Sequence, residues 1–232
     1  MSDKREQLCT AMESLDLGEV QRILDETPSL LRERLRPDAG RGGDVMSLAA
    51  LTNSPELLEL LHRRGGDVME NSNNPLNRAA TKGNLIASME TLVRLGADVD
   101  QPAEDYGPPI IFAIEGGSLD SMRFLLEQEC MIAGERNGES WDALKHAAIF
   151  NRRHPGMIEL VLQFGGDVND STIDQRGGKN RGTALHNAAA KGDLPGVRLL
   201  LQHGADKEAR DADGLSPVDV TKNRRVRDLL DR

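Results

Sequence analysis

The residues able to do chemistry gather in the middle of the chain. Glu115 and His146 supply a carboxylate and an imidazole. General acid–base catalysis uses such a pair, because imidazole titrates near neutrality. Around them fall Tyr106, the only tyrosine, Trp141, the only tryptophan, and Phe112, Ile149 and Phe150. Aromatic residues make up only 3% of the chain, so their clustering here carries information. Large apolar side chains are where the energy of a protein–protein contact concentrates. The leading reading is therefore a non-enzymatic module that binds another protein, with no catalytic residue. The alternative is a small-molecule pocket with aromatic walls, in which Glu115 and His146 act as the acid–base pair of an isomerase- or lyase-type enzyme. The plainer role for His146 is a hydrogen bond between neighbouring elements, and for the aromatics it is packing against an adjacent loop.

Other chemistries find less support. No ligand spacing of a metal site and no nucleophile elbow occurs, so neither metal nor cofactor is expected. The stretch 177–183 holds glycines and Lys179 but lacks the order of a phosphate loop, and no strand precedes it. It reads as an enlarged turn, whose Lys179 and Arg181 could touch an acidic partner. Cys9 and Cys130 lie in no paired-cysteine motif and read as two reduced thiols.

Composition narrows the class. The chain has 232 residues, 29% charged and 38% hydrophobic, with a net charge of −9. Nucleic-acid binding depends on neutralising phosphates with Lys and Arg, so the global balance argues against it. No apolar run approaches the length of a membrane span. The first residues are charged and lead into an amphipathic helix rather than a signal peptide. The expectation is an intracellular, monomeric protein, cytoplasmic with the nucleus as an alternative; self-association is a weaker third role.

These residues need elements to position them, and the stretch 182–206 shows which kind. Two short helices are expected there, roughly Ala184 to Lys191 and Leu194 to His203, each ended by a glycine, Gly192 and Gly204. Neither is long enough to be stable alone. Together they present Leu185, Ala188, Ala189, Val197, Leu200 and Leu201 on one side, which requires a neighbour. Thr183, Ala184, Leu185, His186 and Ala188 stand against the pattern T-P-L-H-x-A, with alanine at the proline place, and Gly204, Ala205 and Asp206 close the stretch. The stretch resembles an ankyrin repeat.

The resemblance extends along nearly the whole chain. Closing glycines or their equivalents fall at 65, 96, 129, 165 and 204, around the family's period of about 33. It implies an all-α solenoid of stacked helix–turn–helix units with projecting turns, in a single domain over 1–232. The repeats are 1–36 as N-terminal cap, 44–70, 74–101, 107–134, 140–170 and 182–210 as internal units, and 214–232 as C-terminal cap. The first cap is expected to bury Leu8, Ala11, Met12 and Leu15 on one helix and Leu17, Val20, Ile23 and Leu24 on the next. Four places depart from the pattern. Glu129 replaces a closing glycine, Pro108, Pro109, Ile110 and Ile111 replace T-P-L-H, the fifth unit carries about two extra residues near 151–155, and Asp170 to Arg181 is a long, charged, Gly-rich connection before the sixth unit.

In this family partners bind the concave side, made by the projecting turns and first helices. Carried over residue by residue, the slots after the paired alanines are Lys82, Glu115, Ile149, Phe150 and Lys191, and the slot before the helix start is Trp141, with Tyr106 on the neighbouring turn. The resemblance thus implies a face on which Trp141, Ile149, Phe150 and Tyr106 anchor a partner and Lys82, Glu115 and Lys191 select one of mixed charge. His186 is implied to be structural, bonding turn backbone between repeats.

Overall fold

A computed structural model describes residues 2–35, 43–69, 74–102, 107–136, 139–172 and 182–231. Its contacts divide the chain into two compact units, Met1–Gly116 and Gly117–Arg232. The first holds α1 (Ser2–Glu13), α2 (Leu17–Glu26), α3 (Val45–Ala49), α4 (Pro55–Arg63), α5 (Pro75–Ala80), α6 (Ile86–Arg94) and α7 (Pro109–Gly116). The second holds α8 (Leu119–Glu127), β1 (Ala133–Arg136), β2 (Glu139–Asp142), α9 (Ala143–Phe150), α10 (Met157–Gln163), α11 (Ala184–Lys191), α12 (Leu194–Gln202), α13 (Pro217–Val220) and α14 (Arg224–Leu230).

Helices this short do not persist alone, so their sequences are built to bury one side and to satisfy their own ends. In α9, Ala143, Leu144, Ala147 and Ala148 are buried, and α11 buries Ala184, Leu185, Ala188 and Ala189 in the same places. Small residues let the first helices approach closely, and α9 packs directly on α11. The second helices bring the larger aliphatics: Leu57, Leu58, Leu60 and Leu61 in α4, and Met157, Ile158, Leu160 and Val161 in α10.

Two corners recur. Between the helices of a pair, a residue of left-handed backbone precedes an N-cap: Leu15 before Asp16, Asn53 before Ser54, Gly117 before Ser118 and Gly192 before Asp193. Each cap side chain accepts a backbone N–H three residues on, from Glu19, Leu57, Ser121 and Gly196. After the second helix, Gly65, Gly96, Gly165 and Gly204 adopt φ between +86° and +101°. The next N–H then reaches back to close the helix, as from Gly66 to Leu61, Ala97 to Leu92, Gly166 to Val161 and Ala205 to Leu200. Glu129 keeps this turn at φ +59°, and its closing bond, from Cys130 N–H to the Leu125 carbonyl, is the longest of the set at 3.3 Å.

Three details differ from expectation. Leu15 does not join Leu8, Ala11 and Met12 in the core; it forms the corner and is 45% exposed. The projecting turn ahead of α9 is regular enough to form an antiparallel hairpin, with Gly134 opposite Trp141 and Ala133 opposite Asp142. That pairing buries Trp141, for the reason given below. Cys9 and Cys130 are buried, and neither is in a disulfide. Among the described residues no helix is long and apolar enough to cross a membrane.

Candidate functional site

The hairpin and α9 position the central residues of the second unit. Trp141 lies on β2 across from Gly134, and a Cβ on Gly134 would stand 2.5 Å from Trp141 Cζ2. The indole therefore lies over the glycine and is only 7% exposed. This corrects its expected place on the open face: a bare glycine on the paired strand makes room for the ring, so it packs onto the hairpin. Its Nε1–H is buried with no hydrogen-bond partner among the described residues.

Asp142 ends β2 and caps α9, its Oδ1 accepting from Lys145 N–H at 2.7 Å. Burial pushes the Asp142 carboxyl up to about 6, against the opposing pull of the Lys145 and Leu144 amides and the Lys145 charge. Lys145 is 1% exposed, and its ammonium donates to Asp170 Oδ1 at 2.5 Å and to the Thr172 carbonyl at 2.7 Å. Burial alone would raise Asp170, but hydrogen bonds from Lys145 and Thr172, together with the Lys145 charge, hold it below the usual carboxylate value. A cleft of about 310 Å³ opens between Gly134, Trp141, Asp142, Lys145, Asp170 and Thr172.

Sequence reading missed Lys145, although a signal was present. Asp142, Ala143, Leu144 and Lys145 occupy the places of Thr183, Ala184, Leu185 and His186. His186 behaves as a structural histidine: its Nδ1 accepts from Thr183 N–H at 3.1 Å, and its Nε2–H donates to the Leu215 carbonyl at 2.9 Å. Lys145 fills the same place with a longer, charged arm.

The remaining expected residues stand as follows. His146 Nδ1–H donates to the Asp142 carbonyl at 3.0 Å, and its ring is half-buried. Ile149 and Phe150, at the end of α9, are both half-buried. Lys191, at the end of α11, is exposed. In the first unit Lys82 is exposed and follows α5, while Phe112 and Glu115 are half-buried on α7. Helices α5 and α7 approach so closely that a Cβ on Gly116 would fall 2.1 Å from the Thr81 carbonyl oxygen. Tyr106, Lys179 and Arg181 lie outside the described residues. Glu115 and His146 belong to different units, and the cleft beside Trp141 is not lined by His146. Among the described residues no group of three or more His, Cys, Asp or Glu could hold a metal ion.

Comparison with known proteins agrees with this architecture. Family models match residues 45–136 as ankyrin repeats in three copies and residues 171–220 as ankyrin repeats in many copies. The B-cell lymphoma 3 protein homolog of Mus musculus is 26% identical over 191 residues, 80% of this chain and 41% of that protein. Ankyrin repeat and SOCS box protein 11 of Danio rerio is 26% identical over 156 residues, 67% of this chain and 38% of that protein. The chain thus spans less than half the length of these relatives. Among solved structures, the ankyrin repeat domain of Bcl-3 superposes with a TM-score of 0.74 at 24% identity, covering 97% of this chain and 98% of that one. The human ASB11 ankyrin repeat domain also reaches 0.74, at 21% identity, covering 96% and 95%. The repeated corners, the paired alanines of the first helices and the two family matches, which together take in more than half the residues, place this chain in the ankyrin-repeat family as an all-α repeat solenoid.

Proposed function

We propose that the chain is a protein-interaction module whose partner binds the exposed side of the first helices and their turns, the concave side in this family. The observation that carries the reading is the pair Ile149 and Phe150. Two large apolar side chains stand half-exposed at the end of α9, where the equivalent places on α11 hold Ala190 and Lys191, both exposed. Apolar groups that are partly open and seated on a rigid helix contribute most to a contact when a partner covers them. On the second unit His146 and Lys191 supply polar selection beside these anchors; on the first unit Phe112, Lys82 and Glu115 offer a half-buried aromatic and two charged groups of their own. Trp141 acts from beneath, by holding the hairpin that precedes α9.

The test compares wild type, Ile149→Ala with Phe150→Ala, and Trp141→Ala as baits for quantitative affinity capture, with circular dichroism to confirm folding. The expected result is loss of specific partners by the folded Ile149/Phe150 variant. An unchanged partner list for that variant would remove the anchor assignment.

A further inference from the structure

We infer that one edge of the second unit, formed by the inter-helix corners of three successive repeats, is a docking surface for a short acidic peptide segment of a partner. The corners are 151–154, 191–193 and 221–225. Hydrogen bonds join them in sequence. Asn151 Nδ2–H donates to Asp193 Oδ2 at 2.7 Å, Arg152 Nη1–H donates to the Lys191 carbonyl at 3.0 Å, and Asn223 Nδ2–H donates to the Gly192 carbonyl at 3.2 Å. Residues far apart in the chain are thereby held along one continuous edge.

That edge is basic. Arg152, Arg153, Lys191, Lys222, Arg224 and Arg225 are all exposed on it. The one acidic residue in these corners, Asp193, is 3% exposed and is spent on Asn151 and on capping α12. Of these six basic residues, only Arg224 has a carboxylate within 4.0 Å among the described residues, that of Asp228 on its own helix. The turn-side rim of the same unit carries Asp167, Asp206, Glu208, Asp211 and Asp213 against Lys207 and Arg210, an acidic excess. Six of the 29 basic residues of a chain of net charge −9 are thus gathered along one edge.

Charge and length together select the occupant. Adjacent helices pack about 8–10 Å apart, so three corners span roughly 20 Å. An extended chain rises about 3.3 Å per residue and would cross them with about six or seven residues. Arginine forks pair well with carboxylates. A nucleic acid carries its charge well beyond that length, and both the acidic rim and the net negative charge oppose it. The edge also continues from the apolar pair, since the Phe150 carbonyl accepts from the Arg153 and His154 amides at 2.9 and 3.1 Å. The inference shares Lys191 with the proposed contact face but does not depend on Ile149 or Phe150.

The test measures fluorescence anisotropy of the whole chain with three labelled probes: octaglutamate, octaglutamine and an eight-nucleotide single-stranded RNA. Octaglutamate should bind, weaken as salt is raised, and bind about tenfold more weakly to Arg152→Glu with Lys191→Glu, and separately to Lys222→Glu with Arg224→Glu. Both variants change exposed side chains, and a thermal melt checks that they fold. The Ile149→Ala, Phe150→Ala variant should bind octaglutamate as wild type does, which separates this surface from the apolar anchors. Tighter binding of RNA than of octaglutamate, equal binding of octaglutamine, or folded charge-reversed variants that bind octaglutamate normally would each overturn the inference.

Discussion

Lys145 and His186 occupy equivalent places in successive repeats, and each reaches forward to a backbone carbonyl. The Lys145 ammonium donates to Thr172, 27 residues on, and His186 Nε2–H donates to Leu215, 29 residues on. The lysine adds an ion pair to Asp170, which the histidine place does not require. One position thus performs the same stitching with two chemistries.

Removing that arm should be costly. Lys145→Ala strands a partly buried carboxylate and a carbonyl, and should lower unfolding free energy by about 3 kcal/mol in urea titrations. Asp170→Asn should cost less, about 1 kcal/mol, since the Asp170 side chain is 22% exposed and Lys145 keeps its bond to Thr172. A Lys145→Ala protein as stable as wild type would show that the pair contributes nothing net.

Asp142 should give the fold an acid-favoured component. Its carboxyl sits at about 6 in the folded protein, above the ordinary value of about 3.9. The folded state therefore holds the proton more tightly than the unfolded one. The Asp142 contribution is fully present below about pH 4 and is lost as pH rises through about 6. Asp170 runs the other way: its lowered carboxyl contributes above the ordinary value, and that contribution is lost as pH falls. Asp142→Asn keeps an acceptor for the helix cap and removes the titration. Relative to this variant, wild type should lose about 2 kcal/mol between pH 4 and pH 6.5. Parallel stability curves for the two proteins across that range would refute the assignment.

Glu129 offers a gain. It holds a left-handed turn that the corresponding glycines occupy without steric conflict. Glu129→Gly should raise stability by about 0.5 kcal/mol, the relief of strain being partly offset by a more flexible unfolded chain. A lower melting temperature would mean that the Glu129 side chain contributes more than its backbone costs.

The repeat frame was readable wherever local chemistry decided the structure. Gly65, Gly96, Gly165 and Gly204 announce helix ends because their positive φ is a local requirement, and α11 begins and ends where its residues indicate. The site was less readable because pairing across strands decides it. Trp141 appeared exposed by its slot, yet the absence of a side chain on Gly134, seven residues earlier, sets its burial. Lys145 was not singled out because its partners, Asp170 and Thr172, lie more than twenty residues ahead. Leu15 fitted an apolar stripe, but its place just before Asp16 made it a corner.

In the second unit, side-chain hydrogen bonds from Asn151 to Asp193 and from Asn187 to Lys145 each bridge 42 positions. Each such bond reaches no further than the adjoining repeat. Folding therefore needs no distant segments to meet before local ones are rewarded, which favours rapid assembly. Cooperativity is correspondingly short-ranged. A lesion in one repeat should open hydrogen exchange there and in its immediate neighbours, leaving the rest of that unit protected.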